Sequence, residues 1–243
     1  GTFELDIKPK KSLFEILCDN LKRANKKYNV TIPWYIMTSI YNDQETKKFF
    51  EEKNYFNYPK DSIKFFKQSE LPLIDISGNL ILEELYKIKE ASNGNGDVFN
   101  SMKENKILND MKNKNIKWIF FSGIDNVLLN IVDPLLLGLT INHNKLIASK
   151  TLLKKDPNDK DWIFARKNSK PAIINSIHLT DSMKNAKNTN GNYLYREVNI
   201  LAHLFNISAV DKICNIKLPY HRAFKKNNFV NDEGMKQVPE SPN

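Results

Sequence analysis

Cysteine and glycine are scarce in this chain, at two and eight of 243 residues. Cys18 and Cys214 lie far apart and match no metal or redox spacing, which leaves no disulfide framework, zinc site or thiol redox motif to read. Two free thiols in a reducing compartment are expected. Eight glycines beside ten prolines exclude a glycine-rich or fibrous protein. No stretch approaches the roughly 18 consecutive apolar residues of a membrane-spanning helix. No charged-then-apolar leader is present either, so a cytoplasmic location without membrane attachment is expected. The four histidines show no ligand spacing.

What the chain does have is positive charge, a net +9 from 37 Lys and Arg against 28 Asp and Glu. Its lysines are scattered among asparagines, as in "KNKNIK" (112–117) and "KNAKNTNGN" (184–192). A nucleic-acid face would gather them into one stripe interleaved with aromatics, and that pattern is missing. Small phosphorylated ligands suit the charge equally well. The length allows one large domain or two small ones, and an apolar fraction of 41% is enough for a sizeable core.

Periodicity divides the chain into elements. "SLFEILCDNLKRANKKY" (12–28) carries a helical apolar face, with Ser12 placed as its cap. "VTIPWYIMTS" (30–39) reads as a buried strand, "NDQETKKFFEEKN" (42–54) as a charged helix anchored by Phe49 and Phe50, and "SIKFFKQ" (62–68) as a second strand. A hairpin is expected over 71–84, turning at Ser77-Gly78-Asn79, and one amphipathic helix over 96–115. Three strands follow at 145–153, 161–168 and 171–179, the first two joined by the turn-rich 156–161. The spacing then predicts a helix over 193–206 and a basic turn or short helix over 218–228. The tail 231–243 reads as polar loop. No internal repeat and no linker interrupt the chain, so a single domain over 1–243 is expected. Alternating strands and helices define an α/β class, with a mixed, mostly parallel sheet and helices on both faces.

Three stretches carry chemistry. "IKWIFFSGIDNVL" (116–128) is an apolar strand that delivers Asp125 at its far end, just past Gly123. In open α/β sheets ligands sit beyond the carboxyl ends of strands, where an aspartate can hold a hard cation such as Mg²⁺. A helix cap for a helix starting at Asn126 fits the same spacing. "NGNGD" (93–97), ahead of a helix, suits either successive backbone N–H groups receiving a base edge or anion, or an ordinary tight turn. "HRAFKK" (221–226) gathers His221, Lys225 and Lys226, as a phosphate-neutralising cluster or as a solvated basic helix end.

In order along the chain, "IPWYIMTS" (32–39), "TKKFFEEKNYF" (46–56), "FFKQSELP" (65–72), "ILEE" (81–84), "NGNGD", "IDNVL" (124–128), "VDPLLLG" (132–138), "VNILAHLF" (198–205), "HRAFKK" and "PESPN" (239–243) resemble the eukaryotic UDP-N-acetylglucosamine pyrophosphorylase family. That resemblance implies a nucleotidyltransferase with a Rossmann-like sheet, which joins UTP to a sugar 1-phosphate with Mg²⁺ and releases pyrophosphate. It implies that Gln68, Gly94 and Asn95 contact the uracil and that Asp125 faces the metal and phosphates. Asn199 would face the sugar, and His221, Lys225 and Lys226 would lie in the basic segment, with Asp125 and the two lysines as the catalytic set. The family's glycine-rich loop ending in Pro-Lys and its Gly-Ile-Lys segment fall outside 1–243, so the fragment alone is expected to be inactive. Trp162 and Asn175 stand near a family glycine and a sugar-contacting glutamate. Two alternatives follow from these departures: a non-catalytic member that binds a nucleotide sugar or a protein partner, and a pyrophosphorylase for another sugar such as glucose 1-phosphate.

Overall fold

The computed structural model describes residues 1–6, 8–216, 218–220, 222–231 and 233–239. The backbone falls into two compact units, Gly1–Val30 with Ile116–Ala209, and Thr31–Asn115 with Val210–Asn243.

In the first unit the helix Leu13–Tyr28 starts where the sequence places it. Ser12 is buried, and its Oγ accepts the Glu15 N–H at 3.2 Å. Phe14, Leu17, Cys18, Leu21 and Ala24 recur every three or four residues and form the buried face. Asn29 closes the helix in the left-handed conformation that asparagine tolerates. Five strands make the sheet of this unit: Trp118–Ser122, Ile147–Leu153, Trp162–Lys167, Lys170–Asn175 and Glu197–Asn206. Glu197–Asn206 is the hub. It pairs with Ile147–Leu153, and also with Trp118–Ser122 and, through Val198, with Ile163. Asn168 and Ser169, both at positive φ, turn the hairpin between Trp162–Lys167 and Lys170–Asn175. A short 3-10 turn, Ser176–His178, takes over where the strand was expected to run on to 179.

The expected helix over 193–206 is therefore a strand, and the reason is legible. Val198, Ile200, Ala202 and Leu204, all apolar, alternate with Asn199, Leu201, His203 and Phe205, of which half are apolar. A strand with apolar residues on both faces has no two-residue pattern to distinguish it from a helix. Every pairing in this sheet is antiparallel.

The second unit holds the one parallel pairing among the described residues, Trp34–Thr38 beside Ile63–Lys67. The crossover between them is the helix Asp43–Glu52. Fully buried Phe50 packs from that helix against Trp34, Phe56 and Phe65, with ring centroids 5.0–5.5 Å apart. Burying such a ring contributes roughly 1.5–3 kcal/mol. Between helix and second strand, Asn54, Tyr55, Phe56 and Asn57 all take positive φ, a left-handed turn four residues long.

The hairpin turn lies where expected: Asp75 and Asn79 close it, and the Gly78 N–H donates to the Asp75 carbonyl. The span 96–115 is two helices, Val98–Glu104 and Ile107–Asn113. Lys106 breaks it at φ 58, and the Asn105 side chain donates to the Ser101 and Lys67 carbonyls. The tail is not all loop, because Lys236–Gln237 pairs with Phe229–Val230, which in turn meets Leu82. Arg222–Asn228 adopts neither helix nor strand.

A mostly parallel sheet is thus corrected to largely antiparallel sheets within an α/β chain. Alternating strands and helices led to the parallel expectation. The long strand Glu197–Asn206, misread as a helix, takes its partners in the opposite direction.

Candidate functional site

In the first unit the strand Trp118–Ser122 runs into Gly123, Ile124 and Asp125, and no helix begins at Asn126. The next helix is Pro134–Asn142, capped by Asp133, whose Oδ1 accepts the Leu135 and Leu136 N–H groups at 3.0 Å each. The helix-cap reading of Asp125 is removed by that placement. Its carboxylate is exposed and, among the described residues, makes no hydrogen bond or ion pair. It folds back over Gly123, with Oδ1 2.6 Å from where a Cβ on that residue would stand. Glycine makes room for this conformation, and any larger residue would push the carboxylate aside.

Asn199 sits at an irregularity of the hub strand. Ser149 pairs with His203 and Thr151 with Asn199, so residues 200–202 bulge opposite Lys150 alone. Such bulges re-aim side chains and gather at sites. Leu201 lies at φ 51, its N–H donates to Asn199 Oδ1 at 3.0 Å, and its carbonyl accepts the Gly123 N–H at 3.3 Å. This chain of contacts puts Asn199 and the Gly123–Asp125 strand end together, with Asn199 Nδ2 uncommitted among the described residues. Next to them, His203 shares a 2.7 Å hydrogen bond with Ser149 Oγ, and burial lowers its pKa so that the imidazole stays neutral. Trp162 and Asn175 face each other at the hairpin mouth, and Asn175 Oδ1 caps the following turn by accepting the Ile177 N–H at 3.1 Å.

In the second unit Gln68 follows the strand Ile63–Lys67, and its N–H donates to the Thr38 carbonyl at 2.8 Å. The "NGNGD" stretch is the entry to the helix Val98–Glu104. Gly94 takes φ 91 and ψ 174, a conformation closed to other residues, and nothing lies within 4 Å of its Cβ position. The turn is open on that side, as a ligand's approach requires. It is held beside Gln68 by the Asn93 N–H, which donates to the Ser69 carbonyl at 3.1 Å. Asp97, the last residue of "NGNGD" but given no role of its own in the sequence, is buried at the centre of this arrangement. Its only signal in the sequence is the serine four residues on, at position 101.

Lys225 and Lys226 lie exposed on the irregular segment, with no ion pair among the described residues. Among the described residues no hydrogen bond or ion pair links either lysine to Gln68, Gly94 or Asn95, and the expected role of His221 falls outside the described residues.

Among the described residues no group of three or more His, Cys, Asp or Glu side chains converges to hold a metal ion by itself. Mg²⁺ does not require one, since it is commonly held by one or two carboxylates with water and substrate phosphates. An exposed, unpaired Asp125 fits that mode. No described helix is long and apolar enough to cross a membrane.

Comparison with known proteins supplies the class of this chain. The profile of the UTP–glucose-1-phosphate uridylyltransferase family matches residues 4–238, and the chain belongs to that family. Among its curated relatives is the UDP-N-acetylglucosamine pyrophosphorylase of Saccharomyces cerevisiae, 34% identical over 93% of this chain and 49% of that protein. UDP-N-acetylglucosamine diphosphorylase 2 of Arabidopsis thaliana is 31% identical over 96% of this chain and 50% of its own length. A crystal structure assigned as UDP-N-acetylglucosamine pyrophosphorylase from Entamoeba histolytica superposes with a TM-score of 0.89 at 30% identity, covering 100% of this chain and 62% of that one. The chain spans about half the length of the curated relatives it matches.

Proposed function

We propose that the protein makes UDP-N-acetylglucosamine and pyrophosphate from UTP and N-acetylglucosamine 1-phosphate. The observation that carries this reading is the likeness to proteins of that name over 93% or more of the chain. In the reaction a sugar-phosphate oxygen bonds to the α-phosphorus of UTP as the bond to the β-phosphate breaks, and pyrophosphate leaves. Catalysis of such a displacement is largely positioning and charge neutralisation.

Each residue then has a task. Gln68, Gly94 and Asn95 receive the uracil edge. Asp125, uncommitted and exposed, faces the metal and phosphates. Asn199 presents Nδ2 to the sugar, and His221, Lys225 and Lys226 neutralise phosphate charge. Asp125 would hold Mg²⁺, which would supply positive charge to neutralise that of the phosphates. The fold reading that goes with this function is a Rossmann-like nucleotidyltransferase core, one catalytic domain to which both units belong. Support for it is the family profile, which runs through both.

A second reading, a member that binds a nucleotide sugar without turning it over, is favoured by Asn175, whose side-chain oxygen is committed to the Ile177 N–H. The test is a pyrophosphate-release assay on the protein at its full encoded length, with UTP, Mg²⁺ and a panel of sugar 1-phosphates including those of N-acetylglucosamine and glucose. Release with N-acetylglucosamine 1-phosphate is expected. No release from any sugar, together with calorimetric binding of UDP-N-acetylglucosamine, would establish the second reading instead.

A further inference from the structure

A buried carboxylate survives only with partners. Asp97, 7% exposed, has three that join two separate stretches of chain. Its Oδ2 accepts the Ser69 backbone N–H at 2.8 Å and the Ser101 hydroxyl at 2.5 Å. Its Oδ1 accepts from Asn93 Nδ2 at 3.0 Å. Asn93 reaches Ser69 as well, Nδ2 donating to Oγ at 3.1 Å. Ser69 is the residue after Gln68, and Asn93 the residue before Gly94. The backbone already joins these two stretches, through the Asn93 N–H to Ser69 carbonyl bond and the pairing of Glu70 with Ser92, and the carboxylate braces the strand end that carries Gln68 against the turn that carries Gly94 and Asn95.

We infer that Asp97 is a positioning residue for base selectivity, holding Gln68 and the Gly94–Asn95 turn at the separation that a uracil edge requires. This rests on the uracil reading proposed above. Uracil and cytosine have nearly the same shape and differ in the order of donors and acceptors along one edge. A site that distinguishes them does so through the placement of its own hydrogen-bonding groups, because a misplaced group leaves a buried partner unpaired. Asparagine at position 97 would keep one acceptor and turn an NH₂ group toward a donor now satisfied by the carboxylate.

Asp97→Asn and Ser101→Ala, made in the protein at its full encoded length, test this through kcat and KM for UTP and for CTP. For Asp97→Asn we expect KM for UTP to rise at least about fivefold with kcat within about twofold, and the UTP-over-CTP ratio of kcat/KM to shrink about tenfold. Ser101→Ala should move both quantities in the same direction by less, and it carries the test if Asp97→Asn fails to fold. A merely structural Asp97 would reduce the active fraction, lowering kcat equally for both nucleotides and leaving the ratio intact. That result overturns the inference. Gln68→Ala separates the two levels. If it leaves the ratio unmoved, the uracil reading falls and the inference with it. If it shrinks the ratio while Asp97→Asn and Ser101→Ala do not, only the inference falls.

Discussion

At the scale of single residues, the structure distinguishes two aspartates that look alike in the sequence. Asp133 is committed, since its carboxylate caps a helix and pairs with Lys150 at 2.7 Å. Asp125 is uncommitted among the described residues. Asp125→Asn should therefore leave the melting temperature unchanged while lowering kcat about 10²-fold or more, the scale of removing one electrostatic contact to the reacting phosphates. Unchanged turnover in a steady-state assay would take Asp125 out of the mechanism. The sequence showed that Asp125 stood at a strand end, but left cap and ligand open, because a cap is decided by where the next helix begins. For Asp97, the end of "NGNGD", no role was legible beyond the faint signal of Ser101. Its role depends on Ser69, 28 residues away in sequence, and pairings of that kind leave no local pattern.

At the scale of elements, legibility followed local chemistry. The helix Leu13–Tyr28 has both a cap and a stripe, and the parallel pair Trp34–Thr38 and Ile63–Lys67 is dense in β-branched and aromatic residues. Those elements stand within a few residues of where the sequence puts them. The expectation failed where tertiary context decides. Lys106 takes a left-handed conformation inside a helical pattern, and Glu197–Asn206 is apolar on both faces. Gly94 is the element-scale case that can be tested directly. Its φ of 91 with ψ 174 should make Gly94→Ala cost about 1–3 kcal/mol in the turn's conformation, since no neighbour is close enough to clash. KM for UTP is expected to rise about tenfold on that basis. A normal KM would dissociate the turn from nucleotide binding.

At the scale of the whole molecule, the positive net charge is answered locally by buried or half-buried aspartates. Burial pushes Asp110 upward, but hydrogen bonds from Lys64, Tyr35 and Lys114 outweigh it and hold the carboxyl at about 2, below its ordinary 3.8. Asp19 and Asp43 behave alike, with burial offset by Lys11 and Lys22 in one case and by Lys47 and Thr38 in the other. Asp133 is lowered by Lys150 and by backbone N–H groups. Each folded value lies below the unfolded one, so the unfolded chain binds more protons in acid. The stability these groups contribute is complete above about pH 4 and is lost as pH falls through their folded values. Melting temperature should accordingly drop steeply below pH 4. Asp110→Asn should flatten that limb and cost about 1–3 kcal/mol at neutral pH, because Tyr35 and Lys64 lose a charged acceptor. A melting temperature that stays level from pH 5 down to pH 2 would contradict this account.

The hub strand Glu197–Asn206 also has a consequence for how the chain is made. Ser122 pairs with Ala202, 80 residues further along, and Ile147–Leu153 likewise takes its partner from the hub. As the polypeptide leaves the ribosome, these apolar strands emerge long before the segment that will cover their edges. Closing such distant pairs is slow, and unpaired edges invite pairing with other chains in the interval. Co-expressed chaperones should therefore raise the soluble yield of the protein, and an unchanged yield would contradict this account.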